Sequence, residues 1–421
     1  MTASKPLKVC IDARIPDGPA SGARAVVVGL ANALSSLKDG DEEYLFLVNG
    51  QSHRWLLPYL QGPCSILKDQ TSPPSRLRNW IKAIPGIQRL AQLVKRPPHA
   101  HVPAVVPISD GTIEKAAIDV MHFLQPSAFL TSITNIYQIH DLQHRHLPQF
   151  FAEESVKDRD LTYKTCSDQA DMVAVMTEWG RQDAIAAYNL PAEKVSVIPW
   201  APVFEVAGEP SSSDLAKTKD KYKLPDKFIF FPAHTWAHKN HVTLLEALVY
   251  LKENRGHEFT LVCSGRTDDF YPQLQEKVRE LNLSSHVHFL GYVSALELSC
   301  LYRLAECLVY PSLFEGWGLP LLEAAAAGTP VVCSRISPLQ EQVGEAAILF
   351  DPMSVEQIAD ALETIRFDTA KRETLIALGR RRLLAFSWER TVLLFRAHYR
   401  RLGKRSCTLT DLELLNAKAL V

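Results

Sequence analysis

Short apolar runs alternate with longer amphipathic stretches along most of this chain. In the first half, the apolar runs predict buried strands at residues 7–12, 44–49, 119–124, 135–141, 171–176 and around 195–199. Between them, apolar residues at helical spacing predict helices at about 23–37, 153–168 and 178–188. Alternation of strand and helix favours a parallel sheet with right-handed crossovers.

The second half repeats this alternation. It predicts strands at 228–231, 259–263, 287–290, 307–310 and 329–333, with helices at 240–252, 271–281, 296–303 and 321–327. The small polar residues 207–214 have the composition of a linker. We therefore predict two doubly wound α/β domains, 1–206 and 207–386, with a cleft between them and a further amphipathic helix at about 387–402.

One segment, residues 310–334, has the features of a ligand-binding strand, loop and helix. Gly316 and Gly318 allow a tight turn and a close backbone approach to a ligand, and Pro320 suits the first position of a helix. Glu315 and Glu323 lie on either side of this loop, and the helix start between them attracts anions. The pattern suits a phosphorylated sugar, and it equally suits an exposed corner with two solvated carboxylates.

The same segment, F-E-G-W-G-L-P-L-L-E-A-x3-G-T-P-V-V, resembles the signature of family-4 glycosyltransferases, which are retaining enzymes of the GT-B fold. The resemblance implies that Glu323 holds the ribose hydroxyls of a nucleotide sugar and that Glu315 contacts the transferred sugar. It also implies that the sugar and the diphosphate are held by the backbone amides of four loop residues, namely Gly316, Trp317, Gly318 and Leu319. In that fold the last helix crosses back to the first domain.

Three histidines follow the strand at 135–141, namely His140, His144 and His146. Their spacing does not predict a metal site, because such a site needs several side chains that converge. His140 stands in the sequence H-D-L at the carboxyl end of a strand, where open α/β sheets bind ligands. The resemblance implies that His140 faces the transferred sugar.

The loop after the strand at 228–231 contains Lys239 just before a helix. A single loop lysine is usually a solvated charge, but the resemblance implies that Lys239 binds the donor diphosphate. The chain departs from the family at His234, where an arginine is usual, and a neutral imidazole offers only one donor. The resemblance further assigns the nucleotide to two strand ends, at Ser264 and Gly265 and at Val293.

Residues 16–22 form a glycine-containing loop between the first strand and the first helix. The loop lacks the G-x-G-x-x-G fingerprint, which argues against a nicotinamide cofactor. Its position fits an ordinary connection equally well. The resemblance places Ser21 and Gly22 on the acceptor side of the cleft.

Regular patterning fails between residues 61 and 107, where prolines recur. Within this region, residues 76–96 carry six basic and no acidic residues, interleaved with apolar ones at roughly helical spacing. Such a segment can lie on an anionic membrane or meet a phosphorylated acceptor. It can also be a helical flap with a solvated basic face.

Composition narrows the class of protein. The chain has 421 residues and a formal net charge of −1, so we expect no general attraction for nucleic acid. Eight scattered cysteines without a C-x-x-C pair indicate reduced thiols. Neither a secretory signal nor a membrane span is predicted, which favours a cytoplasmic protein, either free or peripheral on the inner face of the membrane.

The resemblance implies a retaining hexosyltransferase, and we expect it to act in surface polysaccharide synthesis. It would move a hexose from a nucleoside-diphosphate sugar of the GDP-mannose type to a hydroxyl of a glycan or lipid-linked acceptor. No cofactor and no obligatory metal are expected. Two alternatives remain, a nucleotide-sugar-binding protein without catalysis and a GT-B epimerase. His140, Glu315 and Glu323 argue against the first of these, whereas His234 leaves it open.

Overall fold

A computed structural model of the chain describes residues 5–15, 22–50, 53–69, 105–202 and 209–417. In this part of the chain, thirteen strands form two parallel sheets. Helices connect the strands of each sheet. The predicted fold class of two doubly wound α/β domains is confirmed.

The first sheet contains seven strands in the order β3-β2-β1-β4-β5-β6-β7. Its register aligns Val9 with Tyr44 on one side and with Val120 on the other. Apolar side chains fill both faces, as is usual for parallel sheets covered by helices. The strands are β1 (Leu7–Asp12), β2 (Glu42–Asn49), β3 (Cys64–Asp69), β4 (Val120–Phe123), β5 (Asn135–Gln138), β6 (Met172–Val175) and β7 (Val195–Val197).

The second sheet contains six strands in the order β10-β9-β8-β11-β12-β13. Ile229 aligns with Leu261 on one side and with Cys307 on the other. Its core is a separate apolar cluster that includes Phe230, Phe231 and Tyr302. The strands are β8 (Ile229–Pro232), β9 (Leu261–Ser264), β10 (Val287–Phe289), β11 (Cys307–Tyr310), β12 (Val331–Ser334) and β13 (Ala347–Phe350).

The helices follow the strands in alternation. In the first half they are α1 (Gly22–Ser35), α2 (Thr112–Lys115), α3 (Gln143–His146), α4 (Glu153–Gln169) and α5 (Glu178–Tyr188). In the second half they are α6 (Ser212–Tyr222), α7 (His241–Arg255), α8 (Tyr271–Glu280), α9 (Ala295–Leu304), α10 (Leu319–Ala327), α11 (Ser337–Val343), α12 (Val355–Phe367), α13 (Thr369–Leu383), α14 (Trp388–Leu402) and α15 (Leu409–Asn416).

Side-chain caps set several of these helix starts. The Thr177 hydroxyl accepts a hydrogen bond from the Gly180 amide at the start of α5. Ser294 and Glu297 form a reciprocal capping box at the start of α9. Helix α10 ends at Gly328, whose left-handed backbone (φ +75°) stops the helix without a Cβ clash.

The long C-terminal helix α14 packs on the first sheet's side of the molecule. Its first residue, Trp388, donates an indole hydrogen bond to the Pro202 carbonyl (2.9 Å). Helix α1 crosses it so closely that a Cβ on Gly29 would overlap the Trp388 ring. Phe395 and Tyr399 of α14 belong to the same apolar cluster as β1 and α1.

The structure corrects two predictions of irregular backbone. Strand β3 lies in the region where patterning failed, because parallel pairing with β2 stabilises a strand with a weak apolar pattern. Helix α6 begins inside the predicted linker, because Ser211 and Asp214 form a capping box there. The predicted boundary at 206 and 207 and the basic segment 76–96 lie outside the described residues. Within the described residues, no helix is long and apolar enough to cross a membrane.

Candidate active site

The second sheet has a topological switch point between β8 and β11. The connections from these two neighbours leave in opposite directions, which opens a crevice at their carboxyl ends. Lys239 follows β8 on a short 3₁₀ turn (Ala237–Lys239) immediately before α7. Glu315 follows β11 on the loop before α10. The topology therefore brings together two residues that are 76 positions apart.

Lys239 and Glu315 form a close ion pair in this crevice. The Lys239 ammonium donates to the Glu315 carboxylate at 2.5 Å, and the two side chains are only 12% and 13% exposed. The ammonium also lies 3.5 Å from the Tyr310 hydroxyl. Burial and the neighbouring Glu315 carboxylate raise the pKa of Tyr310 well above its usual value, so its hydroxyl remains protonated. The crevice thus offers a cation, an anion and a hydroxyl to one ligand.

The loop that carries Glu315 presses against the end of β5 in the first sheet. A Cβ on Gly316 would overlap the carbonyl oxygen of His140 and lie 2.9 Å from the Asp141 side chain. Only glycine fits this approach. Gly316 therefore makes a direct contact between the two halves of the molecule. This contact places His140 next to the crevice that contains Lys239 and Glu315.

His140 itself is held in a fixed orientation. Its Nε2 lies 2.6 Å from the Leu124 carbonyl oxygen, so Nε2 carries the proton and donates it. The Trp200 ring contacts it edge-on, with the ring centroids 5.1 Å apart. Burial lowers the pKa of His140, because the charged imidazolium loses hydration. The adjacent Asp141 has a raised pKa for the same reason.

Glu323 lies on α10, one turn beyond the helix start. The buried Tyr302 hydroxyl donates a hydrogen bond to its carboxylate (2.8 Å). Burial raises the pKa of Glu323 to about 7, although the bond from Tyr302 acts in the opposite direction. A carboxylate in this setting readily accepts further hydrogen bonds from hydroxyl groups.

His234 follows β8 and is oriented by an aspartate that the sequence did not indicate. Its Nδ1 lies 3.1 Å from Asp268, which also pairs with Arg266. The Trp236 ring packs beside the imidazole, with the centroids 4.9 Å apart. Burial lowers the pKa of His234, and this outweighs the opposing effect of Asp268.

The other predicted donor residues lie at strand ends around the same edge of the sheet. Ser264 ends β9 and is buried, and Gly265 follows it with its amide bonded to the Gly291 carbonyl (2.8 Å). Gly265 has φ +133°, and a Cβ there would lie 2.5 Å from the Ala233 carbonyl oxygen. Val293 is buried just before α9. Gly318 and Leu319 begin α10, while the Trp317 side chain packs on Phe386, so only its backbone can face the crevice.

Two further contacts join the halves of the molecule beside the crevice. The Glu341 carboxylate of α11 accepts hydrogen bonds from the Glu178 and Trp179 amides at the start of α5 (2.8 and 2.7 Å). Phe314, just before Glu315, stacks on His146 with ring centroids 4.9 Å apart. These contacts fix the position of the Glu315 loop against the first sheet.

The two residues predicted on the acceptor side, Ser21 and Gly22, are not among the described residues that line the crevice. Gly22 begins α1, whereas Ser21 lies outside the described residues.

The chain also contains two Asp-x-Asp sequences, at 39–41 and 158–160. Asp39 pairs with Arg396 and Asp160 with Arg145, so both are engaged in ion pairs. Among the described residues, no group of three potential metal ligands converges.

Sequence reasoning missed Asp141, Asp268, Tyr302 and Glu341. Asp141 was visible in the H-D-L sequence, and its position beside His140 was the available signal. Asp268 and Tyr302 contact His234 and Glu323 from distant parts of the chain, and Glu341 joins α11 to the start of α5, so no local pattern marks these three residues.

The comparisons with known proteins agree with this geometry. Residues 213–382 match the family model described as "Glycosyl transferases group 1". O-antigen chain mannosyltransferase B of Escherichia coli is 30% identical over 256 residues. That match spans 59% of this chain and 66% of the relative, just under two thirds of its length.

Solved structures show a similar fold over nearly the whole chain. Sucrose-phosphate synthase from Thermosynechococcus elongatus has a TM-score of 0.68 at 20% identity, covering 95% of this chain and all of that one. Anabaena HepE, in complex with UDP and glucose, has a TM-score of 0.67 at 16% identity, covering 93% and 99%. The two parallel sheets, with their strand orders, therefore form the GT-B fold.

Proposed function

We propose that the chain is a group 1 glycosyl transferase, as the match of residues 213–382 suggests, and that it transfers a mannosyl residue from GDP-mannose to an acceptor hydroxyl with retention of anomeric configuration. The acceptor would be a glycan or lipid-linked glycan of a surface polysaccharide. The name of the Escherichia coli relative supports mannose as the sugar. The HepE complex supports a nucleoside diphosphate as the leaving group.

The observation that carries this proposal is the meeting of Lys239, Glu315 and the His140 loop at one switch point. A nucleotide sugar needs a cation for its diphosphate and acceptors for its sugar hydroxyls. Lys239 supplies the first and Glu315 the second, within hydrogen-bonding distance of each other. A bound diphosphate would compete with Glu315 for the ammonium and release the carboxylate toward the sugar.

Two helix starts would assist the diphosphate. Helix α7 begins two residues after Lys239, and helix α10 begins at Leu319 beside the Glu315 loop. Free amides at a helix N-terminus donate to phosphate oxygens, and the helix dipole favours a negative charge there. Glu323, on the first turns of α10, would accept hydrogen bonds from the ribose hydroxyls.

Retention follows from attack on the face from which the diphosphate leaves. The bond from the anomeric carbon to the phosphate oxygen breaks, and the acceptor oxygen forms the new bond on that face. The hydroxyl proton passes to the departing phosphate oxygen. Negative charge grows on the diphosphate in the transition state, and Lys239 with the loop amides would stabilise it. His140 would lie on the sugar's other side, next to Asp141.

A panel of labelled sugar nucleotides tests the proposal. The protein is incubated with GDP-mannose, UDP-glucose and UDP-N-acetylglucosamine, with and without an oligomannoside acceptor, and products are resolved by NMR. We expect transfer from GDP-mannose with an axial product linkage. Binding without turnover would instead identify a nucleotide-sugar-binding protein, and isomerised donor without acceptor would identify an epimerase.

A further inference from the structure

An exposed tryptophan lies at the edge of the crevice that contains Lys239. Trp236 precedes Lys239 by one 3₁₀ turn, and its carbonyl accepts a hydrogen bond from the Lys239 amide (3.0 Å). The Trp236 side chain is 39% exposed, although tryptophan is on average a highly buried residue. Ligand sites are lined mainly by apolar and aromatic side chains, so an exposed indole in this position is a candidate ligand contact.

Two imidazole rings hold the Trp236 indole in place. The His234 and His238 rings lie beside it, with centroids 4.9 and 5.5 Å from that of the indole. His234 is itself held by Asp268 (3.1 Å), and the His238 side chain is buried. These contacts restrict the indole before any ligand binds, so a ligand that stacks on it causes little further loss of side-chain entropy. We call His234, Trp236 and His238 the aromatic platform.

The backbone of this turn is fixed as well. The Thr235 amide donates to the Arg266 carbonyl (3.2 Å), and the Thr235 hydroxyl accepts a hydrogen bond from the Asp268 amide (2.7 Å). The His238 carbonyl accepts a hydrogen bond from the Leu313 amide (2.9 Å). The turn is thus bonded to the loops that follow β9 and β11. The aromatic platform therefore has a fixed place at the carboxyl edge of the second sheet.

The aromatic platform also approaches the first half of the molecule. Burial lowers the pKa of His238 to about 4, and the positive charges of Lys239 and Arg159 contribute to this shift, while Glu315 opposes it. Arg159 belongs to α4, which covers the first sheet. The two halves therefore come close to each other at His238. Trp236, whose ring contacts His238, is part of the wall of the cleft between them.

The chemistry of the aromatic platform indicates the class of ligand. Burial lowers the pKa of both His234 and His238, so both imidazoles are neutral at pH 7.5 and the platform itself carries no charge. A neutral aromatic face packs against the apolar C–H groups on one face of a pyranose ring. The hydroxyl groups around the edge of that ring remain available for hydrogen bonds. The platform therefore favours a neutral sugar ring.

The stereochemistry of the proposed reaction indicates which sugar this is. Retention requires the acceptor oxygen to attack on the face from which the diphosphate leaves, so the acceptor ring must lie beside the diphosphate. Lys239 is the proposed diphosphate ligand, and Trp236 lies one turn away from it. We propose that Trp236 stacks on a neutral pyranose ring of the acceptor glycan, an inference that rests on the proposed retaining glycosyltransferase function.

Acceptor binding provides the test, independently of turnover. An α-linked mannotriose is titrated into the full chain saturated with GDP, and proton NMR gives its dissociation constant and the shifts of its C–H signals. The ring current of a stacked indole moves the C–H signals of one pyranose ring upfield. Trp236→Ala should lose these shifts and bind the mannotriose about tenfold more weakly, because apolar area of the sugar then stays in water. Trp236→Phe should keep part of both effects.

The chain offers a matched control at the opposite edge of the second sheet. Phe367 is also an exposed aromatic residue beside a histidine, with its ring centroid 4.6 Å from that of His257. The preceding residue, Arg366, pairs with Glu306 just before β11 begins, which places Phe367 at the amino edge of the sheet. Phe367→Ala should leave mannotriose affinity and shifts as in the wild type. Equal affinity and equal shifts in Trp236→Ala and the wild type would overturn the proposal.

A guanine base can also stack on an indole, and GDP binding separates the two ligands. Trp236→Ala should leave GDP affinity, measured by calorimetry without acceptor, as in the wild type. A loss of GDP affinity as large as the loss of mannotriose affinity would assign the indole to the base and overturn the proposal. A wild-type protein that causes no upfield shifts would overturn it as well. Because turnover is measured separately, absence of transfer from GDP-mannose would contradict the proposed function without deciding these binding results.

Discussion

The Lys239 ammonium lies 2.5 Å from the Glu315 carboxylate, so the residue predicted to bind a diphosphate and the residue predicted to bind a sugar are partners of each other. The pair joins the ends of β8 and β11, the two strands between which the second sheet changes direction. Each member neutralises the charge of the other in a nearly buried position. A nucleotide sugar that binds both must replace this ion pair with two interactions of its own.

Lys239→Ala should reduce turnover by about 100-fold or more. The ammonium would stabilise the charge that develops on the leaving diphosphate, and loss of one such group typically has an effect of this size. The measurement is steady-state transfer from GDP-mannose. Lys252→Ala is the control. Lys252 lies on α7, the helix that follows Lys239, and it forms an exposed ion pair with Glu258. Equal loss in both variants would argue against a specific role for Lys239.

The local part of this site could be predicted from the sequence. Glu315, Gly316, Gly318 and Glu323 lie within nine residues, and the geometry of a loop followed by a helix start determines their positions. Lys239 was predicted from the family resemblance, because a single lysine in a loop before a helix is usually a solvated charge. Local patterning placed most strands within one to three residues of their observed bounds, since each buried strand is a short apolar run.

The remaining features could not be predicted because they depend on contacts between distant segments. Asp268 reaches His234 across 34 positions, and Glu341 reaches the start of α5 across about 160. Strand β3 forms because β2 supplies its hydrogen-bonding partners, and its own sequence is only weakly apolar. Pairing and packing of this kind leave no periodic signal in either segment.

Gly316→Ala should reduce transfer by about 100-fold while the protein stays folded. The added methyl group would overlap the His140 carbonyl oxygen, so the Glu315 loop must move away from the first sheet. Displacement of reacting groups by about 1 Å commonly has an effect of this size. Gly379→Ala is the control, because its added Cβ meets only Ala325 at an ordinary distance. Normal activity of Gly316→Ala would mean that this contact does not position the site.

His234→Arg should be tolerated and should tighten donor binding at high pH. Burial lowers the pKa of His234, so the imidazole is neutral at pH 8 and adds no charge for a diphosphate. An arginine stays charged there, and its effect should shrink toward pH 5 as the wild-type imidazole becomes protonated. Calorimetry with GDP at both pH values measures this. Loss of activity in a folded His234→Arg protein would assign the histidine another task.

The basic segment 76–96 lies outside the described residues, and its contact with an anionic membrane stays a prediction. Each basic residue near such a surface contributes on the order of 1 kcal/mol, and salt screens the attraction. Replacing Arg76, Arg78, Lys82 and Arg89 by glutamine should release the protein from acidic vesicles in low salt. Transfer to a short water-soluble acceptor should persist. If the wild-type protein does not bind acidic vesicles in low salt, the result would favour the alternative in which the segment is a flap over the acceptor.

The contact between Glu323 and Tyr302 leads to a prediction about how stability and GDP affinity depend on pH. Burial raises the pKa of Glu323 from its usual 4.5 to about 7, so the folded protein holds a proton between these values that the unfolded chain releases. The contribution of this group to stability therefore falls as pH rises through that window. Only the ionised carboxylate accepts hydrogen bonds with both oxygens, so GDP affinity should rise toward pH 7 and then level off.

Two variants separate this effect from other titrations. Glu323→Gln should weaken GDP binding about tenfold at pH 8 and should remove the rise in affinity toward pH 7, because the amide does not titrate. Tyr302→Phe removes the hydrogen bond that lowers the pKa of Glu323, so the midpoint of the affinity profile should move to higher pH. Calorimetry from pH 5.5 to 8.5 gives both results. An unchanged midpoint in Tyr302→Phe, or a persisting rise in affinity toward pH 7 in Glu323→Gln, would show that another group causes this rise.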